Sequence, residues 1–443
     1  MLKRNIAALC FLVAVPAACR QAPVVPQPHV PLAHYEIRAD IDPASGFLEA
    51  AVELTLEAPA GEPRSLTFLL HREFEVRRVA GDGVAGHRFE PPPDRPSLYS
   101  PEAFELHVDF ETPPREGDTL RIAFEYAGEI KSWPEWSANV MTGEWVELGL
   151  YFPWFPHREE MGMFTYRLDI GCPENHEARA AVPVRNEGGR RIFDERRPSR
   201  DIVLVVSPHL KTRNFDLDGA DIHIHAVSLS DETIAMMGED LSAILGLFRN
   251  WFGDLESAAL TVIQSPRAKG GGYARNNLVV LGGLQDRDYA EQREGYIRYL
   301  AHEAAHNWWW RAPVDTWEDW LNEGLAEFSA LAVVRDMFGV EAFEKRLARK
   351  KEAAAREGAI PGFDRADLSS PEARRTSEIL LYSKAPVLLF ELEDRLGVDG
   401  MQEFCRLLVR DAISTTDGFL ETLVRHAGEA ERERFEGRLT SVD

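Results

Sequence analysis

The stretch YLAHEAAHNWWWRAPVDTWEDWLNEGLAEF, Tyr299 to Phe328, carries the pattern around which the rest of the chain organises. On a helix, His302 and His306 lie four residues apart and share a face, so both imidazoles reach one metal ion. Glu303 lies beside them, placed to act on water rather than on the metal. Sixteen residues separate His306 from Glu323 in the run LNEG, which offers a third, carboxylate ligand from a following helix. Two His and one Glu leave a fourth tetrahedral position open, the arrangement a catalytic zinc needs, with one ion per chain. HExxH by itself is a weak signal. The downstream NEG and the surround of Trp308, Trp309, Trp310, Trp317 and Trp320 strengthen it.

The remaining composition narrows the class. A chain of 443 residues has room for two or three domains with ample core. Hydrophobic residues at 44% and charged residues at 28% describe an ordinary soluble globular protein. The net charge of −23 and the absence of a basic block argue against a nucleic-acid partner. The first residues, MLKRNIAALCFLVAVPAACRQ, read as an export signal over residues 1–19: Lys3 and Arg4, then a short apolar core from Ile6 to Val15. Ala17 and Ala18 before Cys19 resemble a bacterial lipobox, with Pro16 where Leu is usual. Lipidation at Cys19, tethering the protein to a membrane, and simple cleavage to a soluble periplasmic protein are both open; either places it in the cell envelope. Residues 20–33 carry Pro23, Pro26, Pro28 and Pro31 and read as an extended tether. Cys172 and Cys405 fall in different expected domains, so no disulfide is predicted.

From His34 the hydrophobic period is two. Tyr35, Ile37, Ala39 and Ile41 alternate with polar residues, as do Leu48 to Leu56, Phe104 to Phe110, Leu120 to Tyr126 and Phe164 to Ile170. Such runs, broken by Pro and Gly clusters, predict an antiparallel β domain over residues 34–213. His223 and His225, two apart on a strand, share a face, but no third ligand is near them in sequence, and a solvated strand face is expected. A helix is predicted from Asp231 to Phe252, stopped by Gly253, followed by the strands ALTVIQS and NNLVVLGG. The metal helix is expected over 289–310, a second from Asp319, and later helices from near Ser383, Gly400 and Asp417. A single mixed, mostly helical domain over 214–443 accounts for these.

Several of these stretches together resemble the aminopeptidase N family of zinc metallopeptidases, which includes leukotriene hydrolase. HYEIRADIDPASGFLEAAVELTLEA is similar to its opening strands, LGLYFPWFPHREEMGMFTYRLDI to a passage of its β domain, and NWFGDLESAALTVIQSP to the approach to its active-site sheet. HEAAH with LNEG resembles its zinc motif, with the interval to the third ligand two residues shorter than usual. ILLYSKAPVLLFELEDRLG resembles its Tyr-x-Lys-Gly motif, with Ala385 in place of Gly. The resemblance implies an N-terminal antiparallel β-sandwich or saddle followed by a thermolysin-like α/β catalytic domain. The family's large C-terminal helical domain is not expected, as roughly sixty residues follow Tyr382.

Carried over residue by residue, the resemblance makes His302, His306 and Glu323 zinc ligands, Glu303 the general base and Tyr382 the hydrogen-bond donor to the oxyanion. Zinc lowers the pKa of bound water from ~15.7 toward ~7, which suits removal of its proton by a glutamate. Glu327, one turn after Glu323, reads either as a support behind the ligands or as an exposed helix face. Substrate contacts are expected from Gly271, Gly272, Tyr273, Ala274 and Arg275, with Gly270 to Gly272 letting a peptide backbone pair closely with the strand edge. Here the sequence departs from the family: Ala274 stands where a Glu binds the substrate's free amine, and Arg275 beside it would repel an ammonium ion. Arg275 is thus expected to favour an anionic group, with Glu144 or Glu147 as substitute amine anchors. The implied function is zinc-dependent peptide hydrolysis through a water activated by Glu303, aminopeptidase-like with altered amine recognition. A zinc hydrolase of a non-peptide substrate and an inactive binding lipoprotein on the same fold are the alternatives. Neither substrate preference nor oligomeric state is legible.

Overall fold

The computed structural model describes residues 33–61, 63–92, 100, 102–133, 138–158, 162–217, 220–254, 260–268, 271–275, 277–314, 316–355, 357–365 and 370–441. The expected export signal, Cys19, the tether through residue 32 and Gly270 lie outside them.

The period-two pattern builds the first sheet. In the strand Ala33–Asp42, Tyr35, Ile37, Ala39 and Ile41 are buried, while Glu36, Arg38, Asp40 and Asp42 are exposed. One face of this strand is therefore core and the other solvent. It pairs antiparallel with Phe47–Glu57 and parallel with Phe164–Gly171. The parallel pair corrects the expected all-antiparallel domain. Such pairing needs a long crossover, and the intervening chain supplies it by building other strands. The full order of this sheet is Arg185–Glu187, Arg190–Ser199, Phe164–Gly171, Ala33–Asp42, Phe47–Glu57, Thr119–Glu129, Glu75–Gly81. A three-stranded sheet of Ser65–His71, Ala103–Phe110 and Val84–Glu90 shares its core. The rings of Phe68 and Phe124 meet edge-on across that core, 5.3 Å apart.

A third, four-stranded sheet joins this domain to the next. In the run Ile202 to Val206, Leu204 and Val206 enter the β-domain core. Val203 and Val205 enter a separate cluster with Ile263, Leu278 and Val280 of the following sheet. A strand apolar on both faces is buried on both, and here it couples two layers. The described residues accordingly form one compact unit. The expected boundary between residues 213 and 214 falls inside the strand Lys211–Leu217, which pairs with Ala220–Ala226 in the next sheet. The change of sheet comes earlier, after Ser207.

That next sheet has the order Lys211–Leu217, Ala220–Ala226, Leu260–Gln264, Leu278–Gly282, Gly271–Arg275, with the last as an edge strand running antiparallel to its neighbour. Helices cover one face: α1 (Asp231–Phe252), α2 (Asp286–Glu291), α3 (Arg293–Ala305), α4 (Trp320–Phe338), α5 (Val340–Ala354), α6 (Pro371–Ile379), α7 (Ala385–Arg410), α8 (Thr416–Ala427) and α9 (Glu429–Thr440). Ser230 caps α1 through its hydroxyl to the Thr233 amide, and Gly253 ends it at φ 97°. The single metal helix expected over 289–310 is instead two, because Gln292 leaves helical geometry (φ −116°, ψ 25°) and the chain turns after His306. α7 breaks at Gly397, whose φ of 74° only glycine adopts without strain.

The paired histidines at 223 and 225 lie on this sheet. His223 is bound to Asn214, but His225 is buried against Thr212 and Arg179 rather than solvated. Burial, with the Arg179 charge beside it, pushes His225 down to about 3. Among the described residues no carboxylate or thiol joins them to form a metal cluster.

Candidate metal centre

α3 presents His302, and His306 caps its end, so the helix repeat brings the two rings to centroids 5.0 Å apart. α4 then brings Glu323 across from them. Its Oε2 lies 3.2 Å from His302 Nε2 and 3.5 Å from His306 Nε2. The three ligand-type atoms fall within 4.8 Å of one another, the only such group among the described residues.

The intervening loop is held from within. The Asn322 side chain bonds both backbone groups of Ala312, at 3.1 and 3.0 Å, and Trp309 Nε1 donates to Ser329. These bonds let the shortened interval still deliver Glu323. Gly324 sits where an added Cβ would approach the Ala385 methyl to 2.6 Å, so the close passage of α4 beside residue 385 depends on the absence of a side chain at 324.

Both histidines are oriented from behind. His302 Nδ1 donates to Glu327 Oε2 at 3.0 Å, and His306 Nδ1 donates to the Trp309 carbonyl at 3.0 Å. With each Nδ1 donating backward, each Nε2 faces Glu323, the side on which a metal would be held. Glu327 is only 2% exposed, which removes the reading of an exposed helix face. It is itself held by Arg298 at 2.9 Å and by Lys350 at 2.8 Å.

The electrostatics call for a cation. Burial opposes charge on His302, yet Glu323 and Glu327 outweigh it and raise its pKa to about 10. Burial also works against ionised Glu323, and the two imidazoles overcome it and hold the carboxyl well below the usual range. Two Nε2 donors, an ionised carboxylate and buried supports fit a divalent metal of the zinc type.

Glu303, 8% exposed, is adjacent to His302 on the same helix. Tyr382 lies on a one-turn π-helical segment, Leu380–Lys384, with its ring 5.7 Å from that of His302. Burial, with the Glu323 charge beside it, raises the phenol well above its ordinary value, so it stays a donor. Lys350 Nζ bonds the Tyr382 carbonyl at 2.6 Å as well as Glu327, tying the tyrosine segment to the support of His302. Lys384, the Lys of the Tyr-x-Lys motif, instead reaches the carbonyls of Gly358 and Ser441.

The edge strand Gly271–Arg275 separates the expected contacts by alternation. Ala274 packs on the helical side. Tyr273 and Arg275 point to the opposite face, toward the β domain. Tyr273 Oη donates to Glu147 at 3.0 Å, while Arg275 donates to Asp201 at 3.0 Å and to Tyr151 at 3.2 Å. This corrects the expectation that Arg275 selects an anionic substrate group: its charge is spent on a buried partner. The substitute amine anchors are also committed. Glu147 is fully buried and receives Trp145, Ser265 and Tyr273; Glu144 is exposed and pairs with His209. Gly272 has no room for a side chain, since a Cβ would meet the Val280 carbonyl at 2.1 Å and the Tyr299 hydroxyl at 2.7 Å. That hydroxyl is buried, and burial, with the Glu303 carboxylate beside it, raises its pKa.

Sequence reasoning missed Arg298, Lys350 and Tyr299. For Arg298 and Tyr299 a signal existed, as Arg298 falls one turn before His302 and Tyr299 one turn before Glu303. Lys350 sits in a polar run that nothing in the sequence ties to Tyr382.

Residues 276–433 match the peptidase family M1 domain. That match runs from just before the strand Leu278–Gly282 into α9. The chain's fold is similar to the M1 zinc metallopeptidase of Deinococcus radiodurans, with a TM-score of 0.70 and 16% identity over 93% of each chain. A mutant of that enzyme bound to a Tyr-Ser-Ala substrate gives 0.68 and 17%, over 93% of this chain and 94% of that one. Leukotriene A4 hydrolase from Saccharomyces cerevisiae gives 0.67 and 14%, over 92% of this chain and 67% of the yeast one. No curated protein matches the sequence. The chain thus shares the fold of these solved structures, a β-rich domain followed by a mostly helical one.

Proposed function

We propose that this protein is a zinc-dependent peptidase of the M1 type, with His302, His306 and Glu323 holding one zinc ion. The convergence of those three ligand atoms within 4.8 Å, beside Glu303 and Tyr382, carries the reading. Zinc in that position would acidify a water and polarise a carbonyl. Glu303 takes a proton from the attacking water and returns it to the leaving amine. Tyr382, kept protonated by burial, donates to the oxygen that gains charge. The free edge of Gly271–Arg275 pairs with an extended peptide backbone, and Gly272 permits the close approach.

Recognition of the amino terminus differs from the family pattern. Ala274 offers no charge, and Glu147 and Glu144 already have partners. The bond cleaved is therefore proposed to depend less on a free amine. The first nineteen residues are proposed to direct export to the cell envelope, which Cys19→Ser and labelling with a tritiated fatty acid would check.

The test is hydrolysis by the zinc-loaded protein of free aminoacyl amides, N-acetylated peptides and internally quenched peptides, with Glu303→Gln as control. Cleavage of blocked or internal bonds, lost in the variant, supports the reading. Turnover confined to free aminoacyl amides would restore a conventional amine anchor, and turnover unaffected by Glu303→Gln would remove the active site proposed here.

A further inference from the structure

One charged cavity lies beside the metal centre, along the groups that support His302. It is lined by Arg298, Glu327, Arg346, Arg349, Lys350 and Tyr382 and has a volume of about 380 Å³. Four of the six lining residues are cations, on a chain whose net charge is −23. Their compensation is incomplete. Arg298 and Lys350 share the single carboxylate of Glu327, which also carries His302. Arg346 pairs with Glu294, and Arg349, exposed on α5, has no carboxylate partner among the described residues. An excess of positive charge therefore faces a cavity wide enough for a carboxylate and its adjoining residue. Its wall includes Tyr382, whose ring is 5.7 Å from His302.

Ala274 carries no charge, and the carboxylates of Glu147, Glu144 and Asp201 are already partnered. Recognition by charge is available at the opposite sign. We propose that the cavity between α3, α5 and the Tyr382 segment is a substrate subsite for a carboxylate, so the peptides taken by this protein are acidic or carry a nearby free carboxyl terminus. The inference rests on the peptidase reading. An Arg guanidinium open to solvent gives bidentate contact with a carboxylate at small desolvation cost.

The experiment uses the zinc-loaded full chain carrying Glu303→Gln, to suppress turnover, and calorimetric titration with three probes: Ala-Ala-Ala with a free carboxyl, Ala-Ala-Ala amide and Ala-Ala-Glu amide. At least tenfold tighter binding of one carboxylate-bearing peptide over the neutral amide is expected. Which of the two gains tells a terminal carboxylate from a side-chain one. Adding Arg349→Glu, at an exposed position, should cut the advantage at least fivefold, and Arg349→Lys should retain most of it. Equal affinities for the three peptides, or an advantage untouched by Arg349→Glu, overturn the subsite. Failure of the peptidase reading shows separately, as absence of hydrolysis by the protein with Glu303 intact, while the binding comparison still decides on the subsite.

Discussion

Glu327 accepts the Nδ1 proton of His302 at 3.0 Å from a position only 2% exposed. The bond fixes the tautomer that turns Nε2 toward Glu323, and Arg298 and Lys350 fix Glu327 in turn. Carboxylates behind ligand histidines raise ligand basicity and hold ring orientation, and their loss typically costs ~10–100-fold in metal affinity. Glu327→Gln keeps an acceptor but loses the charge, so zinc affinity should fall by about tenfold or more. Competition titration against a chelator reads it, and an unchanged affinity would remove Glu327 from the metal centre.

Tyr382→Phe deletes one donor aimed at developing charge and leaves the ligand set intact. Loss of such a donor costs ~10²–10³ in kcat. Steady-state kinetics should show that fall with KM within about threefold and zinc content unchanged. A parallel loss of bound zinc would mean that the phenol supports the metal instead.

Arg275 and Asp201 form a pair in which Asp201 is 2% exposed at its side chain, and the guanidinium lies over the rings of Tyr151 and Tyr273. Removing one partner of a buried pair strands the other and costs ~3–5 kcal/mol. Asp201→Ala should lower the unfolding free energy by about that amount in urea titrations. Arg275→Glu would set two carboxylates together and should be at least as damaging, which makes it a probe of domain packing rather than of specificity. A stable Arg275→Glu protein with altered substrate preference would refute this placement.

His71 and His157 are buried in the β domain, and burial pushes both down to about 4, with the Glu73 charge opposing it at His71. Their unfolded value is about 6.5. Between these values the unfolded chain binds protons that the folded chain refuses, so stability present above pH ~6.5 is lost as pH falls toward ~4. The urea midpoint should therefore drop between pH 7 and pH 5. His157→Phe, which keeps an aromatic ring where the Nδ1 now has no partner, should flatten that drop. An identical pH dependence in the variant would assign the effect to other groups.

Much of the architecture was legible because it is written in short-range periodicity. The alternation from Tyr35 to Ile41 gave the strand and its buried face, and the expected span Asp231–Phe252, stopped by Gly253, is that of α1. The parallel pairing of Ala33–Asp42 with Phe164–Gly171 was not legible, because a strand's own pattern is the same whichever direction its neighbour runs. The break at Gln292 escaped notice for a similar reason: the apolar spacing continues through it, and only φ and ψ change.

Local spacing by itself was enough to name the cluster that could hold a metal. A helix repeat puts His302 and His306 on one face whatever surrounds them, and a following helix with LNEG has few other roles for Glu323. The tertiary structure alone decided what those residues touch. Arg275 looked like a substrate contact from its place beside Ala274, yet strand alternation turns it to the β domain, where Asp201 waits 74 residues away in sequence. Lys350 sits in a polar run of the sequence, yet it joins Tyr382, 32 residues distant, to Glu327. Sequence specifies period and chemistry; the partner of a long charged side chain is fixed only when packing removes the water that would otherwise satisfy it.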